Sequence, residues 1–560
     1  MDQVTRRKLD RITNILWAGG VTNPVTYIEQ LSYLIYLKLL DEEEANRQLQ
    51  ARLGGGNNGN GKLLYPGDTH QFRWSEWRFM SGAGLRDFVR DQVFPYMASL
   101  LGTEPQVAEY FRDAVLEITD PNVLKQVVDE LDTIDFQKMG TDTKGDTFEY
   151  LLTHLGQAAL NGQFRTPRQV RTMMVALVDP DLGDTIYDPA CGTGGFLIDA
   201  VTHILAKYSD SPLEVPIYGE DWLDKRGQTI DEARAAIPTL QTYRKGGGEL
   251  LPDWELLESS VYGNDVSRQL MRITMMNLVL HGISQARVKR ANTLSEQGEL
   301  TDEDKQRRYR VILSNPPFAG VLPEGSIRQD LPTRSKKSEL LFLGVIMQSL
   351  APGGRCAVVV PEGLLFGSTR EHKALRQKLL TELQLQAVVS LPAGVFKPYS
   401  GVKTGVLVFR RPLEAATEGA ATGKACPEPG RRVWFYEVRA DGYDPDRIVG
   451  GGRPETPERN DIPDLLAQWQ AYRQSGFQQP PGVEAGAVLQ PGSEEPRCWW
   501  ADLEIIAGND YNLAAGRYKP QVAAQAPTED PQELIREVLA LEREIATGLE
   551  KLLQDVEATR

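Results

Sequence analysis

The chain has 560 residues, a net charge of −15, and 41% hydrophobic and 25% charged residues. Single hydrophobic cores stop growing at roughly 250–300 residues, so this length predicts two or three domains. No apolar run approaches the roughly 18 residues of a membrane span, and the N-terminus lacks a secretory signal, which predicts a cytoplasmic protein away from membranes. The acidic balance argues against a chain that grips nucleic acid alone over a long footprint, because phosphate neutralisation needs clustered Lys and Arg. Cys191, Cys356, Cys426 and Cys498 stand far apart and the histidines are scattered, so neither a disulfide framework nor a metal site is expected.

The first stretch, 1–160, reads as a helical domain. After the start signal Asn23-Pro24, Ile28, Leu31, Leu34, Ile35, Leu37 and Leu40 recur at helical spacing. The glycine-rich run Gly54 to Lys62 reads as a surface loop without chemistry. Over 161–411, short β-branched runs (TIYDPACG, SVYGND, RVILSNPPF, RCAVVVPEG, QAVVSLPAGVF) alternate with helical patterns, predicting an α/β domain with a parallel, doubly wound sheet. Residues 412–530 read as a peripheral strand, VWFYEV, among linkers: small-residue from Leu413 to Pro429, and rich in Pro, Gly and charge from Gly450 to Pro496. The tail, 531–560, carries Leu534, Val538, Leu541, Ile545, Leu549, Leu552 and Val556 in steps of three and four. That seam suits packing on its own domain and docking of a second subunit equally well. Three basic runs, Arg287 to Arg290, Lys305 to Arg310 and Arg334 to Lys337, are equally consistent with solvated faces and DNA contacts.

Two segments carry the chemistry. In Asp188-Pro-Ala-Cys-Gly-Thr-Gly-Gly-Phe196 a strand runs into a glycine-rich turn and then a helix, where nucleotide-like ligands bind in open α/β sheets. Gly192, Gly194 and Gly195 let the backbone bend and approach a ligand. Asp188 at the head of the turn suits a cationic sulfonium or ammonium group better than a pyrophosphate, and the turn lacks the lysine followed by a hydroxyl residue that would make a phosphate loop. The next strand, Val261 to Asp265, ends in an acid placed for ribose hydroxyls. Pro216 to Asp221 is a near copy of it, leaving Asp221 as a rival; if Asp265 is the ribose acid, Leu223 to Ser260 is an insertion.

The second segment, Asn315-Pro316-Pro317-Phe318, follows the apolar strand Arg310 to Ser314 and so falls on the same sheet edge. It suits methylation of an amine conjugated to a nucleobase. The nitrogen lone pair is delocalised into the ring, so acceptors must draw on its two N–H bonds before it can attack. The Asn315 side-chain oxygen and the Pro316 carbonyl supply them, and consecutive prolines fix the backbone. Phe318 can stack on a base that has left the duplex, recovering part of the unstacking cost.

With the two segments in this order, the chain resembles the adenine-specific, amino-methylating DNA methyltransferases of the γ arrangement. It looks most like the modification (M) subunits of type I restriction-modification systems. GQFRTP (Gly162 to Pro167), KGDTFEYLL (Lys144 to Leu152), LAPGGRCAVVVPEGLLF (Leu350 to Phe366) and LPAGVFKPYSGVKTGVLVF (Leu391 to Phe409) carry the likeness across nearly the whole chain. The resemblance implies a Rossmann-like methyltransferase sheet, S-adenosylmethionine as cofactor, and methyl transfer to the N6 amine of a flipped adenine in double-stranded DNA. It implies a specificity subunit, a second copy of this chain sharing that one specificity subunit, and a restriction subunit as an optional addition. It adds Phe164, Thr166 and Pro167 at the methionine end of the cofactor, with Ala190, Thr193 and Phe196 in the turn. It also puts Asn292, Thr293 and Leu294 at the adenine end, where Asn292 replaces the acid usual in the family. Protein glutamine and RNA methyltransferases, which share the amine problem, and an inactive scaffold are the alternatives.

Overall fold

The computed structural model describes residues 2–53, 63–136, 139, 144–145, 147–152, 166–208, 243–245, 249–251, 254–397, 400–413, 431–448, 453–523 and 531–558. The N-terminal part is helical. Helix α1 (Gln3–Ala18) starts where the Asp2 carboxylate accepts the Thr5 N–H at 2.7 Å, supplying one of the acceptors that a helix N-terminus lacks. Helix α2 (Pro24–Leu53) follows Asn23, whose side chain accepts the Val25 N–H, and α3 (Pro121–Asp132) is capped by Asp120. These helices and shorter ones between them close on an aromatic core that includes Tyr33, Trp74, Trp77, Phe94, Tyr110 and Phe111.

Beyond it the chain alternates. Helix α4 (Arg168–Val178) precedes β1 (Ile186–Asp188), α5 (Gly195–Tyr208), β2 (Val261–Asp265), α6 (Arg268–Leu280), β3 (Arg287–Arg290) and β4 (Tyr309–Ser314). Then come α7 (Ser338–Ser349), β5 (Leu350–Pro361), α8 (Arg370–Thr381), β6 (Gln384–Ser390), β7 (Thr404–Arg410), β8 (Arg432–Glu437), α9 (Ile462–Gln474), β9 (Val483–Glu484) and β10 (Cys498–Asp502). All ten strands join one sheet in the order β9-β10-β8-β6-β7-β5-β4-β1-β2-β3. Strands β1 to β5 are parallel. Their residues alternate between two buried faces, Val311 and Leu313 on one and Ile312 on the other, the two-residue period of a sheet covered on both sides. The chain runs outward through β1, β2 and β3 and then crosses to β4 on the other side of β1. That reversal makes β1 and β4 the switch point, where the loops leaving their carboxyl ends diverge into a crevice.

The sheet departs from the sequence expectation in two respects. It is mixed: β7 runs antiparallel between β5 and β6, and β10 antiparallel to β8. It also continues past Arg411, because the region read as a peripheral strand and linkers contributes β8, β9 and β10, with α9 packed against α4. Strand β8 falls on the expected VWFYEV; β9 and β10 are short and stand beside Pro- and Gly-rich segments, which hid them. QAVVSLPAGVF is a strand only to Ser390; Leu391 to Lys397 turn away from the sheet.

Helix α6 belongs to both halves. Leu270, Ile273, Met276 and Leu280 complete the N-terminal core, while Met271 and Leu278 pack under the sheet. Between the halves, Arg272 Nη1 donates to Glu29 Oε1 at 2.7 Å, both side chains being 5% exposed. Gln269 and Tyr33 also donate to the Glu29 carboxylate. Helix α10 (Pro531–Ala558) presents Ile535, Val538, Leu541, Ile545, Leu549 and Leu552 to solvent, each more than half exposed. Leu534 and Val556 lie outside the residues whose side chains are described. Among the described residues no helix is long and apolar enough to cross a membrane, and no cluster of metal-ligating side chains occurs.

Candidate active site

Strand β1 ends in Asp188, 1% exposed, whose Oδ1 accepts the Ala190 N–H at 3.0 Å and the Ser314 hydroxyl at 2.7 Å. One carboxylate oxygen thereby ties the glycine turn to the end of β4. Burial pushes the Asp188 carboxyl up to about 7, opposed by those two hydrogen bonds and reinforced by Asp265. Asp265, at the end of β2, accepts the Gly192 N–H at 3.1 Å and the Ser267 N–H at 2.7 Å, and burial raises its pKa as well. The turn is therefore cradled by two carboxylates.

The glycines of the turn serve different purposes. Gly192 has φ +58° and a Cβ there would meet nothing within 4 Å, so space is open above it. Gly194 has φ +81°, and a Cβ would stand 2.8 Å from Thr274 Cγ2 on α6. Gly195 leaves room for the Arg171 guanidinium, 2.7 Å from such a Cβ. Of the three, Gly192 faces open space, while Gly194 and Gly195 make way for the protein itself. Helix α6 also holds the turn from below, with the Thr274 hydroxyl donating to the Gly192 carbonyl and Asn277 Nδ2 to the Thr193 carbonyl. The Phe196 ring is buried in the core and acts there as packing.

At the carboxyl end of β4, next to this turn, stands Asn315-Pro316-Pro317-Phe318. Asn315 Nδ2 donates to Thr166 Oγ1 at 2.9 Å, whereas Oδ1 is shielded from water and has no hydrogen-bond partner. Pro316 is buried. The Phe318 ring meets Phe396 edge to face at 6.0 Å. Asn292 Oδ1 accepts the Leu294 N–H, and the Thr293 hydroxyl donates to the Pro189 carbonyl at 3.3 Å, so this segment lies against the turn. Arg328, from the loop after Phe318, donates to the Thr293 carbonyl at 3.2 Å. Leu294 is buried among Leu331, Leu341 and Phe342. Pro167 opens α4 beside Thr166. Phe164 and Asp221 lie outside the described residues, as does nearly all of the expected insertion before Trp254.

Ser314, Arg171, Arg328 and Phe396 were missed in the sequence. Ser314 adjoins a chosen motif and could have been weighed with it; the other three meet the site only through long-range packing that no local pattern signals.

Two family models match this arrangement. The HsdM N-terminal domain matches residues 5–131, and the N-6 DNA Methylase model matches residues 139–231 and 251–526, both segments with the turn and the Asn-Pro-Pro-Phe strand included. The chain belongs to the N-6 DNA methylase family. The methylase match skips 232–250 and runs on through β8, β9 and β10. Over 553 residues the chain is 29% identical to the type I restriction enzyme EcoEI methylase subunit of Escherichia coli, covering 96% of this chain and 94% of that one. A solved chain from a study of complex assembly and conformational transition of the type I R-M system superposes with a TM-score of 0.64 and 27% identity, covering 100% of this chain and 99% of that one. The type I restriction-modification system methyltransferase subunit from Streptococcus thermophilus shares the fold, at TM-score 0.59 and 18% identity over 92% of this chain and 99% of that one.

Proposed function

We propose that this methylase is the modification subunit of a type I restriction-modification system, transferring a methyl group to the N6 amine of adenine in DNA. The observation that carries the reading is the unpartnered Asn315 Oδ1 at the β4 end of the crevice, beside the glycine turn. A buried acceptor without a donor is costly, by about 1–3 kcal/mol, and a substrate amine removes that cost by donating to it. With the Pro316 carbonyl as the second acceptor, both N–H bonds of adenine are engaged and the nitrogen lone pair is freed for attack. Phe318, steadied by Phe396, offers a ring face to a base taken out of the stack.

The residues around the turn fit S-adenosylmethionine. Open space stands above Gly192, and Asp188 and Asp265 are buried carboxyls whose charged form burial disfavours and a cationic ligand, which here also carries a ribose, would favour. When bound, the cofactor supplies an electrophilic methyl group; the chain's residues hold it by the turn and orient the amine toward it. Asn292, a neutral amide, faces the same turn through Thr293.

The same reading supplies the partners. An acidic chain that holds a flipped base needs another subunit for base readout, since phosphate contacts position and base contacts specify. The exposed seam of α10 supports a docking helix for a specificity subunit; two copies of this chain per such subunit, in the cytoplasm, follow from the family resemblance alone. Of the basic runs, the first two are interleaved with carboxylates, as in Lys289–Asp304 and Arg307–Glu303. Arg334 to Lys337 carry one such pair as well, Lys336–Glu324 at 2.8 Å, but lead from the loop after Phe318 into α7, where the Ser338 N–H donates to the Gly320 carbonyl, and their place beside the Asn-Pro-Pro-Phe loop makes this run the better candidate for phosphate contact.

Asn315→Ala removes one acceptor and should abolish methyl transfer to DNA in the presence of the specificity subunit. Cofactor affinity should stay within about threefold, because the amide belongs to the substrate side. Tritiated-cofactor transfer and calorimetry read the two effects, and turnover retained by Asn315→Ala would sink the assignment.

A further inference from the structure

We infer that Thr166 is a positioning residue for methyl transfer, its hydroxyl engaging Nδ2 of Asn315 and so holding the amide with Oδ1 toward the substrate amine. The inference rests on the acceptor role given to Asn315 above. A carboxamide is nearly symmetric in shape, and its two ends differ only in that one accepts and the other donates. Turned around, Asn315 would present N–H to the N–H of adenine and could not draw on the nitrogen. Asn315 Nδ2 donates to Thr166 Oγ1 at 2.9 Å, and this contact leaves Oδ1 as the end without a partner. Without the hydroxyl, Nδ2 loses the acceptor that engages it, and the amide is no longer held with Oδ1 toward the substrate.

Thr166 is itself held in place. It is 7% exposed, and its carbonyl accepts from Arg171 Nη1 at 3.3 Å. Arg171 is buried and bound to Asp199 on α5 at 2.8 Å and to Glu149 of segment 147–152 at 3.2 Å. Gly195 clears the space this guanidinium occupies. One buried cation thus joins the helical segment before the sheet, the helix after the glycine turn and the backbone of Thr166, setting the hydroxyl against Asn315. The resemblance to the family put Thr166 at the methionine end of the cofactor instead. The two roles separate cleanly: a lining residue governs cofactor affinity, a positioning residue governs the rate once cofactor and DNA are bound.

The test uses the full chain with its specificity subunit and compares Thr166→Val, Thr166→Ser and Asn315→Ala in single-turnover methylation at saturating cofactor and DNA. Cofactor and DNA affinities are measured separately. Thr166→Val, which keeps the shape and loses the hydroxyl, should slow transfer by about tenfold or more, the scale of one lost orienting hydrogen bond, with both affinities within about threefold. Thr166→Ser should restore most of the rate. If Val is not accommodated, Thr166→Ala against Thr166→Ser makes the same comparison in a smaller side chain. A normal rate in Thr166→Val or Thr166→Ala beside an inactive Asn315→Ala overturns the inference and leaves the catalytic reading standing. Weakened cofactor binding with a normal saturated rate makes Thr166 a lining residue, and failure of Ser to rescue assigns the effect to packing; either also overturns it. An active Asn315→Ala removes the reading itself.

Discussion

Asp188 is a carboxyl group kept from water beside the glycine turn proposed to hold a cationic cofactor. Burial lifts its pKa to about 7, so near neutral pH it is divided between neutral and ionised forms. Because the folded value lies above the unfolded one, the native state binds this proton more tightly. Stability of the cofactor-free protein therefore falls as pH rises from the ordinary carboxylate range toward 7, and levels off above. A cationic ligand needs the ionised form, so its affinity should run the opposite way. It should rise about tenfold between pH 6 and 8, as the ionised fraction does for a group titrating near 7, with proton release on binding below 7. Calorimetry in buffers of different ionisation enthalpy reads both, and Asp188→Asn should flatten the dependence; a pH-independent affinity in the unaltered chain would refute it. At this scale the sequence is informative where a residue acts through its neighbours in the chain, as in the turn and the Asn-Pro-Pro-Phe strand end. It is silent where the partner is distant: Thr166 and Asn315 are 149 residues apart, and no spacing rule links them. Gly194 and Gly195 were visible as glycines, but what they make room for lies on α6 and α4.

Among the elements, α6 shows what periodicity can and cannot give. Its apolar spacing fits a helix packed on the sheet after β2, but the spacing does not reveal that the helix is buried on its other side too. The polar link on that side, Arg272 with Glu29, is a buried ion pair, whose two charges depend on each other. Arg272→Met leaves Glu29 without its cation and should lower unfolding stability by about 3–5 kcal/mol, whereas adding Glu29→Met should recover most of the loss. Denaturant unfolding of the single and double variants decides this, and an equally unstable double variant would show that Arg272 acts through packing alone. Strands β9 and β10 were the least legible part, whereas β8 is the strand VWFYEV read in the sequence. An edge-side strand of two residues, such as Val483–Glu484, has too little length to show an alternation. Trp434 and Trp499 are buried by tertiary neighbours rather than by any local pattern.

At the scale of the whole chain, net charge and the tail point the same way. Under the proposed function a chain carrying −15 would gain DNA affinity by recruiting a partner, and the exposed apolar row from Ile535 to Leu552 is the surface proposed for it. Deleting residues 531–560 should leave the sheet folded and the cofactor bound, yet abolish association with the specificity subunit and site-specific methylation. Mass measurement of co-expressed complexes checks this, and an unchanged complex would exclude the tail as the handle. The shared helix has a further thermal consequence. Since α6 lines the N-terminal aromatic core on one face and supports the glycine turn on the other, neither half can melt without taking that helix along. The two halves should therefore give one heat-absorption peak in scanning calorimetry instead of two. Under native conditions the backbone amides of α6 should be among the last in the chain to exchange with deuterium, since they open only when both cores do.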